Sequence, residues 1–162
     1  PFKGTNPLIR EAQMKICEKV KNTDLVCTLD VGEAEDIHPK NKRPVGERLA
    51  LLARSKVYSE KVICSGPRFA KLKVTGNIAT LSFNFTDGGL VATDAELKGF
   101  SIAGDDKTFV PAIAVIKGNK VEVSAAGISK PIAVRYAWGS APESSFSNGT
   151  GLPAFPFRTD DW

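Results

Sequence analysis

Between two helical patterns near the N-terminus lies one short apolar run, "LVCTLDV", at residues 25–31. It is rich in β-formers and reads as a buried strand. A lone strand cannot make a sheet, because its N–H and C=O groups need neighbours on both sides. This constrains the chain more than any other feature. Residues 1–60 read as the C-terminal piece of a larger α/β sheet whose other strands lie elsewhere. Ahead of the strand, Asn6-Pro7 forms an N-cap followed by an N1 proline. Ile9, Ala12, Ile16 and Val20 then recur at helical spacing until "KNTD" ends the helix. After the strand comes a polar loop, Gly32 to Arg43. Pro44 then opens "PVGERLALLARSKVY", with Val45, Leu49, Leu52 and Val57 on one side. Ligands of α/β sheets gather at the C-terminal strand ends, where this polar loop departs.

Beyond residue 60 the pattern is β throughout. "KVICSG", "AKLKVTG", "IATLSFNF", "FVPAIAVIKG", "NKVEVSA" and "IAVRYAW" are short runs separated by Gly, Asn, Asp or Pro. Their spacing predicts an antiparallel β-sandwich over 61–162. "KGNKV" is a hairpin signal and "TDGGLV" a turn. The tail "SNGTGLPAFPFRTDDW" is rich in Gly and Pro yet carries Phe155, Phe157 and Trp162. Such an apolar loop is expected to wrap onto another surface.

Composition removes several function classes. No apolar run approaches the ~20 residues of a membrane helix, so no membrane partner is expected. Net charge is +4, but the basic residues are scattered, without the Lys/Arg stripe of a nucleic-acid binder. The N-terminus has neither an initiator Met nor a signal-peptide layout, which is the expectation for a mature, truncated or processed chain. Cys17, Cys27 and Cys64 form no CxxC pair, and a single histidine leaves little for a zinc site, so no metal or cofactor is expected. Each cysteine sits among apolar neighbours, the pattern of buried thiols, with a Cys17–Cys27 bridge as the alternative.

The one histidine, His38, stands in "EDIHPKNK". A histidine acts as general base when an acceptor holds one ring nitrogen and a nucleophile faces the other. Asp30, Glu33, Glu35 and Asp36 are the nearby candidates to hold the ring, and Pro39 biases His38 to extended geometry. A solvated loop histidine is the competing reading. No nucleophile stands out: Ser65 in "CSGP" follows an expected strand, there is no GxSxG elbow, and no internal Ser–His pairing is evident.

Seven segments, in order, carry a family resemblance: "LIREAQ", "DIHPKNKRPVGERLAL", "SGP", "GGL", "GFSIAG", "VRYAWG" and "GLPAFPFRTDDW". Together they resemble the C-terminal third of sialate O-acetylesterase and its bacterial relatives, carbohydrate esterases of the SGNH-hydrolase type. The resemblance implies a flavodoxin-like α/β esterase domain ending near residue 60 and an accessory β-sandwich after it. It implies that His38 is the catalytic base and that Asp36, in "DIHP", orients it, with Glu35 as the alternative acid. The family's Gly-Glu-Ser-Asn serine motif is absent here. The nucleophile would then lie on an upstream polypeptide of the same protein, and the substrate would be an acetylated carbohydrate. A secreted, periplasmic or lysosomal location follows from the same resemblance.

A second class of function is a non-catalytic carbohydrate-binding or interaction module, with Tyr136, Trp138 or Trp162 stacking on sugar. Core or interface packing is the competing role for these rings. Two N-glycosylation sequons, at Asn84 and Asn148, matter only in a eukaryotic secretory setting. Arg135, Arg158 and Asp160 are candidates to pair between the two halves.

Overall fold

The computed structural model describes residues 6–36 and 38–162. Two helices open the chain, α1 (Asn6–Lys19) and α2 (Arg43–Lys56), joined by an irregular segment that contains a 3-10 turn, Leu29–Val31. Ten strands follow: β1 (Arg68–Thr75), β2 (Ile78–Asn84), β3 (Leu90–Ala92), β4 (Phe100–Ala103), β5 (Phe109–Pro111), β6 (Ile113–Lys117), β7 (Lys120–Ser124), β8 (Ala133–Tyr136), β9 (Phe146–Asn148) and β10 (Phe157–Arg158). They form two four-stranded sheets, ordered β1-β2-β7-β6 and β10-β8-β4-β5, and a β3-β9 pair. All the pairings are antiparallel.

Alternation builds the core. Ala79, Leu81 and Phe83 of β2 and Val121 and Val123 of β7 are buried, while the residues between them are less so. Phe100, Ile102, Val134, Tyr136 and Phe157 of the second sheet join the same cluster. Phe157 stacks on Phe69 of β1 at 4.8 Å and meets Phe83 edge-on at 5.8 Å, so rings of both sheets interlock as in a β-sandwich. The β6–β7 hairpin turns at Gly118-Asn119, with Gly118 at φ 59°, as the sequence predicts.

The apolar tail wraps as expected. Leu152 to Phe157 are all buried. Phe155 N–H donates to Pro67 carbonyl at 2.9 Å and Ala154 N–H to Phe146 carbonyl at 2.9 Å. Gly66 lies so close beneath the tail that a Cβ there would stand 2.1 Å from the Pro153 carbonyl oxygen. "SGP" therefore needs glycine for a chain crossing.

Two expected strands are not formed. Residues 25–31 and 61–66 belong to no β-ladder among the described residues. In the first run Cys27 is buried and Leu29 packs against the core; in the second Ser65 and Gly66 are buried while Ile63 is exposed. The helices pack only in part. The stripe expected to bury α1 faces outward: Ile9, Ile16 and Val20 are each 52% exposed. On α2, Leu52 is buried while Leu49 and Val57 are exposed. The ends of α1 and α2 border an open groove of about 810 Å³, lined by Cys17, Val20, Leu49, Leu52, Ala53 and Val57.

Candidate active site

The His38 loop is organised by its own carboxylates. Asp36 Oδ1 accepts the His38 backbone N–H at 2.8 Å, and Glu33 Oε1 accepts the Lys40 N–H at 2.7 Å. Asp36 N–H also reaches the Glu33 carbonyl at 3.4 Å. Asp and Glu side chains that cap backbone N–H groups in this way fix a turn locally. His38 is exposed, and no side chain among the described residues bonds its imidazole. Asp36 thus sits beside His38 but is engaged by the backbone. Glu35 is exposed, and Ile37 lies outside the described residues.

The base of this loop is tied down from α2. Arg48 is 8% exposed, and its Nη1 donates to the Cys27 carbonyl and to Asp30 Oδ1, both at 2.7 Å. Its Nη2 donates to Asp30 Oδ2 at 2.5 Å. This bidentate fork uses both carboxylate oxygens of Asp30 and fastens the 3-10 turn from which the loop leaves. Asp30, one of the carboxylates considered for the imidazole, is committed to Arg48 instead. Cys27 adds a second tie: its thiol donates to the Ala154 carbonyl at 3.3 Å, linking the loop's base to the C-terminal tail. Burial pushes the Cys27 thiol up to about 11. All three cysteines are free, so the Cys17–Cys27 bridge is not formed, and of the three only Cys27 is fully buried.

The other candidates have structural partners. Ser65 is 5% exposed; its hydroxyl donates to the Gly66 carbonyl at 3.1 Å and accepts from Arg68 Nε at 3.1 Å. Tyr136 is fully buried among core aromatics. Trp138 is half-buried with the Arg158 guanidinium 5.3 Å from its ring centre, and Trp162 has Lys107 Nζ at 4.6 Å. Arg135 pairs with Asp160 at 3.0 and 2.5 Å. Arg158 reaches back to Glu11 of α1 at 2.8 and 3.0 Å, joining the tail to the first helix. Asn148 is 1% exposed: its amide donates to the Ser65 and Phe85 carbonyls, and its carbonyl accepts from Thr150 and Leu152. That sequon asparagine is a packing element, whereas Asn84 is exposed at the end of β2. No group of three or more His, Cys, Asp and Glu able to hold a metal occurs among the described residues.

Sequence reasoning missed Arg48. The available signal was a charged residue directly before Leu49 and four before Leu52, on the apolar side of α2.

Comparison with known proteins gives a strong likeness to a solved structure. No family model matches the chain, and no curated protein does. Among solved structures, a carbohydrate acetylesterase from Xanthomonas citri superposes on 96% of this chain with a TM-score of 0.90 and 40% sequence identity. The chain spans 36% of that enzyme's length.

Proposed function

We propose that this chain is the histidine-bearing part of a serine carbohydrate O-acetylesterase, of the sialate O-acetylesterase-like SGNH type. The observation that carries this reading is the 40% identity over 96% of the chain to a carbohydrate acetylesterase. Residues 1–60 are the C-terminal part of the esterase domain and 61–162 an accessory β module. An upstream polypeptide of the same protein carries the serine and the sheet of the esterase domain. The outward apolar stripe of α1 and the open groove beside α2 support that assignment, since exposed apolar faces of this extent favour a cover.

In this reading His38 is the general base, with Asp36 as its orienting acid and Glu35 as the alternative. The upstream serine hydroxyl attacks the acetyl carbonyl as His38 takes its proton. The tetrahedral intermediate collapses, and the protonated imidazole gives that proton to the departing sugar oxygen. Water then attacks the acetyl-serine, with His38 again as base, releasing acetate. The cycle needs no metal or organic cofactor. The backbone ties on Asp36 and Arg48 hold the loop's form while leaving the imidazole free to meet the serine.

The test is covalent labelling of the complete protein with a fluorophosphonate, followed by peptide mapping. A labelled serine outside residues 1–162, with labelling lost in His38→Ala, supports the reading. Labelling of Ser65, or labelling untouched by His38→Ala, overturns it.

A further inference from the structure

A cleft of about 290 Å³ lies between the His38 loop and the turn that follows β8. Arg10 of α1, Thr28 and Glu33 line one side, and Ser140, Ala141 and Pro142 the other. We infer that this cleft is a sugar-binding subsite for a neutral, hydroxyl-rich pyranose unit of the acetylated carbohydrate. The inference rests on the esterase reading above.

Three features choose the ligand class. The first is sign. A guanidinium and a carboxylate share the cleft, so it presents both a donor and an acceptor. A hydroxyl-bearing ligand uses both, whereas Glu33 opposes an anion and neither group suits an apolar guest. The second is shape. The volume sits at the low end of small-molecule sites, which run from about 300 Å³, and matches one ring rather than an extended ligand. Leu29 and Pro142 add apolar wall for the C–H face of that ring. The third is position. Glu33 accepts the Lys40 N–H at 2.7 Å, so the cleft wall and the proposed base belong to the same loop.

Arg10 is placed for this role by the β module. Its Nη2 donates to the Gly139 carbonyl, next to Ser140 in the cleft wall. Its Nε is buried without a hydrogen-bond partner among the described residues. Holding a buried N–H unpaired is costly, and a ligand hydroxyl or a water would relieve that cost. The β module thereby contributes one wall of a substrate site instead of serving only as a support.

The experiment compares two substrates on the complete protein. p-Nitrophenyl acetate carries no sugar; partially acetylated xylo-oligosaccharides carry rings with free hydroxyls. Ala141→Trp fills the cleft from its exposed rim. The expected result is a fall of tenfold or more in kcat/KM for the sugar esters relative to p-nitrophenyl acetate, expressed in KM. Glu33→Gln, which keeps an acceptor for Lys40, should raise KM for the sugar esters at least threefold. Parallel changes on both substrate types, or no change on either, would overturn the subsite. If His38→Ala is as active as the unmodified protein, the esterase reading fails instead. A complete protein that releases no acetate from any of these esters overturns both.

Discussion

Replacing Arg48 by methionine tests whether the His38 loop is held from below by a single buried guanidinium. Methionine keeps the length and apolar stem of the side chain and removes only the polar fork. Two losses follow. The Cys27 carbonyl, in a residue 7% exposed, loses its donor, which costs about 1–3 kcal/mol for a buried polar group. Asp30 loses its partner, but its side chain is 35% exposed and rehydrates, so this part adds about 1 kcal/mol at most. The sum is about 1–4 kcal/mol, a drop of about 3–12 °C in the melting midpoint for a chain of 162 residues. Arg54→Met is the control. Arg54 and Glu60 also pair at 2.7 Å, but their side chains are 50% and 44% exposed, so the change should fall within about 0.5 kcal/mol. Thermal unfolding followed by circular dichroism reads both variants. If Arg48→Met loses no more than Arg54→Met, the argument that burial makes the difference is refuted.

Three further outcomes follow from named contacts. Gly66→Ala should cost about 3 kcal/mol or more in a denaturant titration, because its Cβ meets backbone oxygens at 2.1 and 2.6 Å, while Gly46→Ala, with nothing within 4 Å on an exposed helix, should gain up to about 1 kcal/mol. Iodoacetamide at about pH 8 should label Cys17 and Cys64 in the folded chain and spare Cys27, whose thiolate fraction at a value of about 11 is about one in a thousand; mass spectrometry of the labelled peptides checks this. The hydrogen bonds from Arg158 hold the Glu11 carboxyl below its ordinary 4.5, so this contact stabilises the fold above that pH and is lost as pH falls through the lower folded value. The melting midpoints of the parent chain and Glu11→Gln should therefore differ near neutrality and converge as acid protonates the folded Glu11.

What could be read from the sequence divides along the line between local and non-local signals. α2 begins where Pro44 places it, because a proline in the first turn acts locally. The β6–β7 hairpin follows from Gly118-Asn119 for the same reason. β3, β4, β9 and β10 were not visible as strands. They are two to four residues long, too short to show the alternation that marks a half-buried strand. The reverse error arose at residues 25–31 and 61–66, where β-forming apolar runs have no pairing partner among the described residues. Within the site, His38 stood out as the only histidine. Arg48, Arg10 and the cleft wall did not, because each depends on contacts across 21 to 129 residues of sequence that no local pattern encodes.

The central claim is that His38 serves as the base of a carbohydrate acetylesterase. The most direct measurement is acetate release from an acetylated carbohydrate by the complete protein and by its His38→Ala variant, each verified as folded. Removing a catalytic base of this kind should lower kcat by at least about 10³-fold. A variant that releases acetate within tenfold of the parent rate would contradict the account.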